Sequence, residues 1–372
     1  MIEISGTCKP RFEPVREAFR QAFANGEDVG ASFAVAQDGE LVVDLWGGYA
    51  DAAKTRPWER DTIVCVYSTT KTMAALCALI LADRGAIDLH APVAKYWPEF
   101  AQNGKERVEV RHLLSHSAGL PTWEKPITLD VLYDWQKATS LLAAQAPQWE
   151  PGTASGYHAV TQGYLIGEVV RRVTGQSPGT FFRETIAEPM GADFHIGLDP
   201  KHFARVGEMI PPASAPAGVA SAANPPMDAR ESATSAWRQA EIPAANGHGN
   251  ARSVAMVQSL LACGGEAFGV KVMSQPGCDA VMEEQTNGLD RVLGFPIRFG
   301  MGYGLLPRVG DQEPRRACFW GGWGGSLAYV DLDSRVSIAY VMNRMNSTTT
   351  GDSRSAVPLR AFFHALASRD EG

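Results

Sequence analysis

The chain has 372 residues, 41 acidic and 34 basic, giving a formal charge of −7, with 45% apolar and 20% charged residues. That composition excludes disorder for most of the chain, and its acidic balance argues against a nucleic-acid or anionic-membrane partner. No apolar run approaches the ~18 residues a membrane span needs, and Glu3, Lys9, Arg11, Glu13, Arg16 and Glu17 leave no room for a secretory apolar core.

In chain order, Phe12, Val15, Phe19 and Phe23 recur at helical spacing and predict a helix over 12–24. Strand-like runs at 30–37 and 40–46 flank Asp38-Gly39, a hairpin dipeptide suited to positive φ. Helical patterns follow at 70–84, 111–115, 129–144, 160–173 and 253–263. Strands return at 316–319, 326–331 and 336–342, with Asp333-Ser334 turning between the last two, and 355–367 closes as a helix. Strands at both ends with helices between predict an α+β fold, an antiparallel sheet flanked by terminal helices beside a mostly helical lobe. Residues 1–75 and 251–372 would form the sheet lobe and 76–250 the helical lobe, with the active-site cleft between them. Within the latter, 211–250 is rich in Pro, Ala, Ser and Asn; it reads either as a lid or as a solvated excursion. Six scattered cysteines without C-x-x-C point to reduced thiols and a cytoplasmic protein.

Ser68-Thr69-Thr70-Lys71 opens the helix predicted over 70–84. Positions i and i+3 share a helix face, so the Lys71 amine reaches the Ser68 hydroxyl. Serine needs a base to become a nucleophile, and burial can make lysine one by disfavouring its charge. The plainer alternative is an N-cap serine followed by an exposed lysine. Against it, a first-turn lysine opposes the helix dipole. Gly175-Gln176-Ser177-Pro178-Gly179 matches the nucleophile elbow G-x-S-x-G but follows a helix rather than a strand. Gly175 reads as a helix terminator, Ser177 as an N-cap and Pro178 as the first helical residue. His112 and His116 stand four apart, but Leu113 occupies the position where a zinc protease has Glu, and packing explains the pair. No metal set and no cofactor motif emerges, so neither is expected. The glycines of 300–304 read as strand-edge turns.

Three further motifs are Leu113-Leu114-Ser115-His116-Ser117-Ala118-Gly119-Leu120, Glu150-Pro151-Gly152-Thr153-Ala154-Ser155-Gly156-Tyr157, and Phe319-Trp320-Gly321-Gly322-Trp323-Gly324-Gly325-Ser326. With Ser68 and Lys71, their order and spacing resemble the serine β-lactamase and penicillin-binding-protein superfamily. The chain is most similar to class C β-lactamases and their esterase relatives, the family VIII carboxylesterases, over about residues 12–367. The resemblance implies that fold, with Ser68 as the acylated nucleophile and Lys71 and Tyr157 as the proton-transfer pair. It also implies an oxyanion hole formed by the backbone N–H groups of Ser68 and Trp323. His158 and Ala159 replace the family's Ser and Asn after the tyrosine, and Trp320-Gly321-Gly322 replaces K-T-G. The latter removes the cation that meets a β-lactam carboxylate and matches the esterases. Trp320, Gly321, Gly322, Trp123 and Trp237 would line an apolar pocket for short acyl chains. His158 would adjoin the tyrosine, and Asn246 and His248 would rim the cleft.

The expected activity is therefore hydrolysis of small esters by a serine carboxylesterase. A transacylase differs only in the acceptor. A β-lactamase or D-aminopeptidase is disfavoured by the missing cation and the missing secretory segment. A catalytically silent binding member of the fold is disfavoured by the presence of Ser68, Lys71 and Tyr157.

Overall fold

A computed structural model describes residues 2–212, 224–308 and 314–368. Both chain ends build one nine-stranded sheet. Its strands are β1 (Ile4–Cys8), β2 (Gly30–Gln37), β3 (Glu40–Gly48), β4 (Thr286–Leu289), β5 (Pro296–Phe299), β6 (Gly304–Leu305), β7 (Ala317–Gly321), β8 (Leu327–Asp331) and β9 (Val336–Met342). They lie in the order β1-β3-β2-β9-β8-β7-β6-β5-β4, and every pairing is antiparallel. The β2–β3 turn is the expected one, with Asp38 and Gly39 at φ 51° and 77°.

Alternation along β2 and β9 decides what covers each face. Phe33 and Tyr340 are cross-strand partners on the bulky face. That face meets the terminal helices α1 (Glu13–Ala24) and α6 (Ser353–Ala367), through Phe19 against Phe33 at 6.3 Å and Tyr329 against Phe363 at 5.8 Å. α1 and α6 pack on each other through Phe12 and Phe362, 4.7 Å apart. The opposite face carries Ser32, Ala34, Ser337 and Ala339, and their small size admits α5 (Ala251–Ala262). Ser32 accepts the Ala251 N–H and Ser337 donates to the Ala255 carbonyl, both at the closest approach.

α2 (Thr70–Asp83) is buried at every position from Thr70 to Leu81, as a helix apolar on nearly all sides must be. It packs against α4 (Thr161–Thr174) of the helical region. The single helix expected over 129–144 is two, because Asp134 leaves helical geometry and its side chain caps α3 (Trp135–Ala144) through the Lys137 N–H. Strands β4, β5 and β6 had no counterpart in the sequence reading. Part of the segment read as lid or excursion, 213–223, lies outside the described residues. The rest of it is tied down: Ala229–Ala233 and Ser235–Gln239 form short helical turns, and 242–250 is buried throughout. All six cysteines are free. Among the described residues no helix is long and apolar enough to cross a membrane.

Candidate active site

Ser68 sits in the 3-10 turn Tyr67–Thr69 that runs directly into α2. Contacts from two other segments and within the turn fix this corner. Val64 and Cys65 pair with Gly249 and His248, and Val66 N–H donates to Gly247 O at 2.9 Å. The Thr70 hydroxyl bonds both the Tyr67 carbonyl and the Gly247 N–H. Ser326, immediately before β8, donates to Val66 O and bonds the Thr69 hydroxyl, each at 2.9 Å. Tyr67 is held at φ 44°, a left-handed conformation that costs a bulky residue on the order of 1–2 kcal/mol and persists because the surrounding contacts enforce it.

Lys71, one helical turn on, is 1% exposed. Its Nζ lies 3.1 Å from Ser68 Oγ, 2.7 Å from Ala159 O and 2.9 Å from Ala244 O. Burial drives its pKa well below the ordinary lysine value. Both carbonyls can only accept, so they take two N–H bonds and leave the third Nζ direction facing Ser68. A neutral amine in this position aims its lone pair at the serine hydroxyl. Ala244 comes this close because α4 has Gly163 beneath it: a Cβ there would lie 2.4 Å from Ala244 N.

Tyr157 Oη lies 2.6 Å from Ser68 Oγ, and its ring centre is 4.9 Å from Lys71 Nζ. Burial pushes its phenol up to about 12, so it is an intact proton donor near neutrality. The ring is packed by His116 at 4.9 Å and Trp320 at 5.4 Å, with Ile297 and Phe299 completing an apolar cluster. Ser68, Lys71 and Tyr157 thus form one continuous hydrogen-bonded chain. The loop after β7 is pressed onto the nucleophile corner, because a Cβ on Gly322 would stand 2.1 Å from Val66 O. The Trp323 ring in that loop lies 5.2 Å from the Tyr67 ring, against the turn that carries Ser68.

The remaining sequence candidates separate by burial. Trp123 walls a cleft of about 130 Å³ together with Tyr157, Ala159, Val160 and Val292. Trp320 stands behind Tyr157 and is 2% exposed. Gly321 and Gly322 admit neighbouring backbone at Thr350 and Val66 instead of leaving an open wall. Four other residues are not brought to the cleft. Trp237 is fully buried against Tyr67. His158 accepts the Leu120 N–H at Nε2 and pairs Nδ1 with Gly156 O, and burial lowers it to about 3. Asn246 is consumed by the Ile242 N–H and the Trp237 and Ala240 carbonyls. His248 is buried with Nδ1 against Asn246 O. These side chains pin the backbone of the segments that carry Ala159 and Ala244.

Ser177 is an N-cap, accepting the Thr180 N–H and donating to Glu241 at 2.6 Å, and Gly175 ends α4 at φ 74°. His112 accepts the Glu109 N–H at 3.2 Å. His116 accepts the His158 N–H at Nδ1, at 3.0 Å, and burial keeps it neutral. Among the described residues no group of three His, Cys, Asp or Glu side chains could hold a metal. The sequence reading missed the Ala159 and Ala244 carbonyls, the Ser326 hydroxyl and Asp290, which accepts the Tyr157 N–H at 3.0 Å. Asp290 lies just after β4, at the start of the turn into β5, and no local sequence pattern marked it as a partner of the tyrosine.

The family description Beta-lactamase matches residues 15–360. The "Esterase/beta-lactamase LipL" of Mycobacterium tuberculosis is 36% identical over 364 residues, covering 92% of this chain and 84% of that one. A solved family VIII carboxylesterase superposes with a TM-score of 0.93 at 44% identity, covering 98% of this chain and 100% of its own. A penicillin-binding-protein homologue from Caulobacter crescentus superposes at 0.91 with 40% identity, over 98% of this chain and 100% of its own. The chain belongs to the β-lactamase family and is a serine hydrolase of that fold.

Proposed function

We propose that this β-lactamase-family hydrolase is a serine carboxylesterase acting on small, short-acyl esters through an acyl-enzyme on Ser68. In the resting site the neutral Lys71 amine accepts a hydrogen bond from the Ser68 hydroxyl while Tyr157 donates to the same oxygen. Ser68 Oγ attacks the ester carbonyl and its proton passes to Lys71, which becomes an ammonium. The backbone N–H groups of Ser68 and Trp323 hold the oxyanion. When the tetrahedral intermediate collapses, the C–O bond to the alcohol breaks and Tyr157 gives that oxygen its proton. Lys71 then returns a proton to the phenolate. Water enters, loses its proton to the pair and attacks the acyl carbonyl; the acid leaves and Ser68 Oγ is reprotonated.

The observation that carries this reading is the setting of Lys71 Nζ: buried, with two carbonyls at 2.7 and 2.9 Å and Ser68 at 3.1 Å. The esterase choice rests on Trp320-Gly321-Gly322, which offers no cation to a β-lactam carboxylate. It is also supported by the carboxylesterase at 44% identity. The apolar cleft walled by Trp123, Val160 and Val292 suits a short acyl or alkyl chain.

The test is a fluorophosphonate probe followed by mass spectrometry, beside turnover of a p-nitrophenyl butyrate and a chromogenic cephalosporin. The adduct is expected on Ser68 and absent in Ser68→Ala, with the ester turned over far faster than the cephalosporin. Labelling on Ser177, or faster cephalosporin turnover, would overturn the reading.

A further inference from the structure

Residues 154–158 belong to no helix or strand. Their backbone groups must therefore find partners outside regular structure. The Gly156 N–H goes to His116 O at 2.9 Å and the His158 N–H to His116 Nδ1 at 3.0 Å. Between them, the N–H of Tyr157 itself goes to the Asp290 carboxylate, in the turn joining β4 to β5. Asp290 is fully buried. The same oxygen, Oδ1, also accepts Val292 N–H at 2.9 Å and Leu293 N–H at 2.8 Å. A further bond from Arg291 N–H to Ser155 O, at 3.0 Å, closes the turn onto the tyrosine segment. Oδ2 is buried with no partner, so Oδ1 alone takes all three donors. Val292 and Leu293 pack against the apolar cluster around Tyr157, and Val292 shares the cleft wall with it.

We propose that Asp290 is a positioning residue for the esterase reaction. Its carboxylate sets Tyr157 in register with Ser68 and ties the Val292–Leu293 wall to the same backbone. This rests on Tyr157 acting as the proton donor to the leaving alcohol. A misplaced phenol would then harm esters in proportion to how much their alcohol needs a proton. An alkyl alkoxide needs one, whereas p-nitrophenolate leaves without it.

The experiment compares kcat/KM, which reports acylation, for the ethyl and p-nitrophenyl esters of one acid. Asp290→Ala is expected to lose at least tenfold more on the ethyl ester than on the p-nitrophenyl ester. Asp290→Asn, which retains an acceptor for the three N–H groups, should bring the ratio within about threefold of wild type. Equal losses on both esters, or an Asn variant no better than the Ala variant, would overturn the inference. If Asp290→Ala does not fold, Asp290→Glu reads the same ratio, since one added methylene displaces the three donors. Tyr157→Phe is measured alongside. If it shows no ester preference, the proton-donor reading fails; if it does and the Asp290 variants do not, the Asp290 inference alone fails.

Discussion

Replacing Lys71 by Met separates the two charge states this lysine could have. Methionine fills a similar volume and leaves Ala159 O and Ala244 O without their donor. Those lost bonds cost about 1–3 kcal/mol each, at every pH. What does depend on pH is the amine. In the unfolded chain Lys71 holds its proton up to its ordinary value of 10.5, while burial lowers it well below that in the folded protein. Between those two values the unfolded state binds more protons, so wild-type stability rises with pH by up to about 1.4 kcal/mol per unit. The penalty for burying the amine is absent above the unfolded value and grows as the pH falls toward the folded one. The Met variant has no such group. The difference in unfolding free energy, wild type minus Lys71→Met, should therefore increase with pH between the lowered folded value and the ordinary 10.5. Urea unfolding of both proteins across that range measures it as a difference of slopes, free of the constant cost of the orphaned carbonyls. Loss of the base should also lower kcat/KM about 10²–10⁴-fold, or roughly 3–5.5 kcal/mol. Parallel stability curves would mean that Lys71 carries its proton in both states, and the general-base role would be refuted.

Tyr157→Phe removes the 2.6 Å bond to Ser68 Oγ; it should cut kcat/KM on alkyl esters about 10²–10⁴-fold. Ser177→Ala loses only a helix cap, so thermal unfolding should register about 1 kcal/mol while esterase activity stays within about twofold; a tenfold activity loss would restore the nucleophile-elbow reading. Gly163→Ala places a Cβ 2.4 Å from Ala244 N and must push that segment off Lys71. A fall in kcat with a preserved fold is the expected result, and unchanged kcat would show that the Ala244 carbonyl does not orient the amine.

The parts of the site legible in the sequence are those where identity and local spacing carry the chemistry. Ser68 and Lys71 meet because three residues make most of a helical turn. Gly175, Ser177 and Pro178 punctuate a helix boundary and so removed a false nucleophile. Burial was not legible: His158, Asn246 and His248 look like polar site residues, yet their side chains satisfy backbone groups inside the protein. The helix break at Asp134 was hidden in an unbroken apolar pattern. Strands β4–β6 were missed because they are short, β4 and β6 carry a glycine, β5 opens on Pro296 and β4 is largely exposed, so no alternation announces them. Their omission concealed Asp290, whose role depends on a turn between two of them.

The least legible atoms are the ones that decide the mechanism. Any residue supplies a backbone carbonyl, so Ala159 and Ala244 carry no signal, though they lie 88 and 173 positions from Lys71. Their chemistry nevertheless differs from that of a side-chain partner in a way that matters. A carboxylate beside Lys71 would favour the ammonium and offset the burial penalty. Two carbonyls orient the N–H groups with partial charges alone, too weakly to hold a proton against desolvation. The same arrangement therefore aims the lone pair at Ser68 and leaves it free to accept. Because the two carbonyls come from separate segments, the proposed base depends on both lying beside α2. Anything that loosens either segment should admit water, restore the ammonium and weaken the nucleophile before the fold itself is lost.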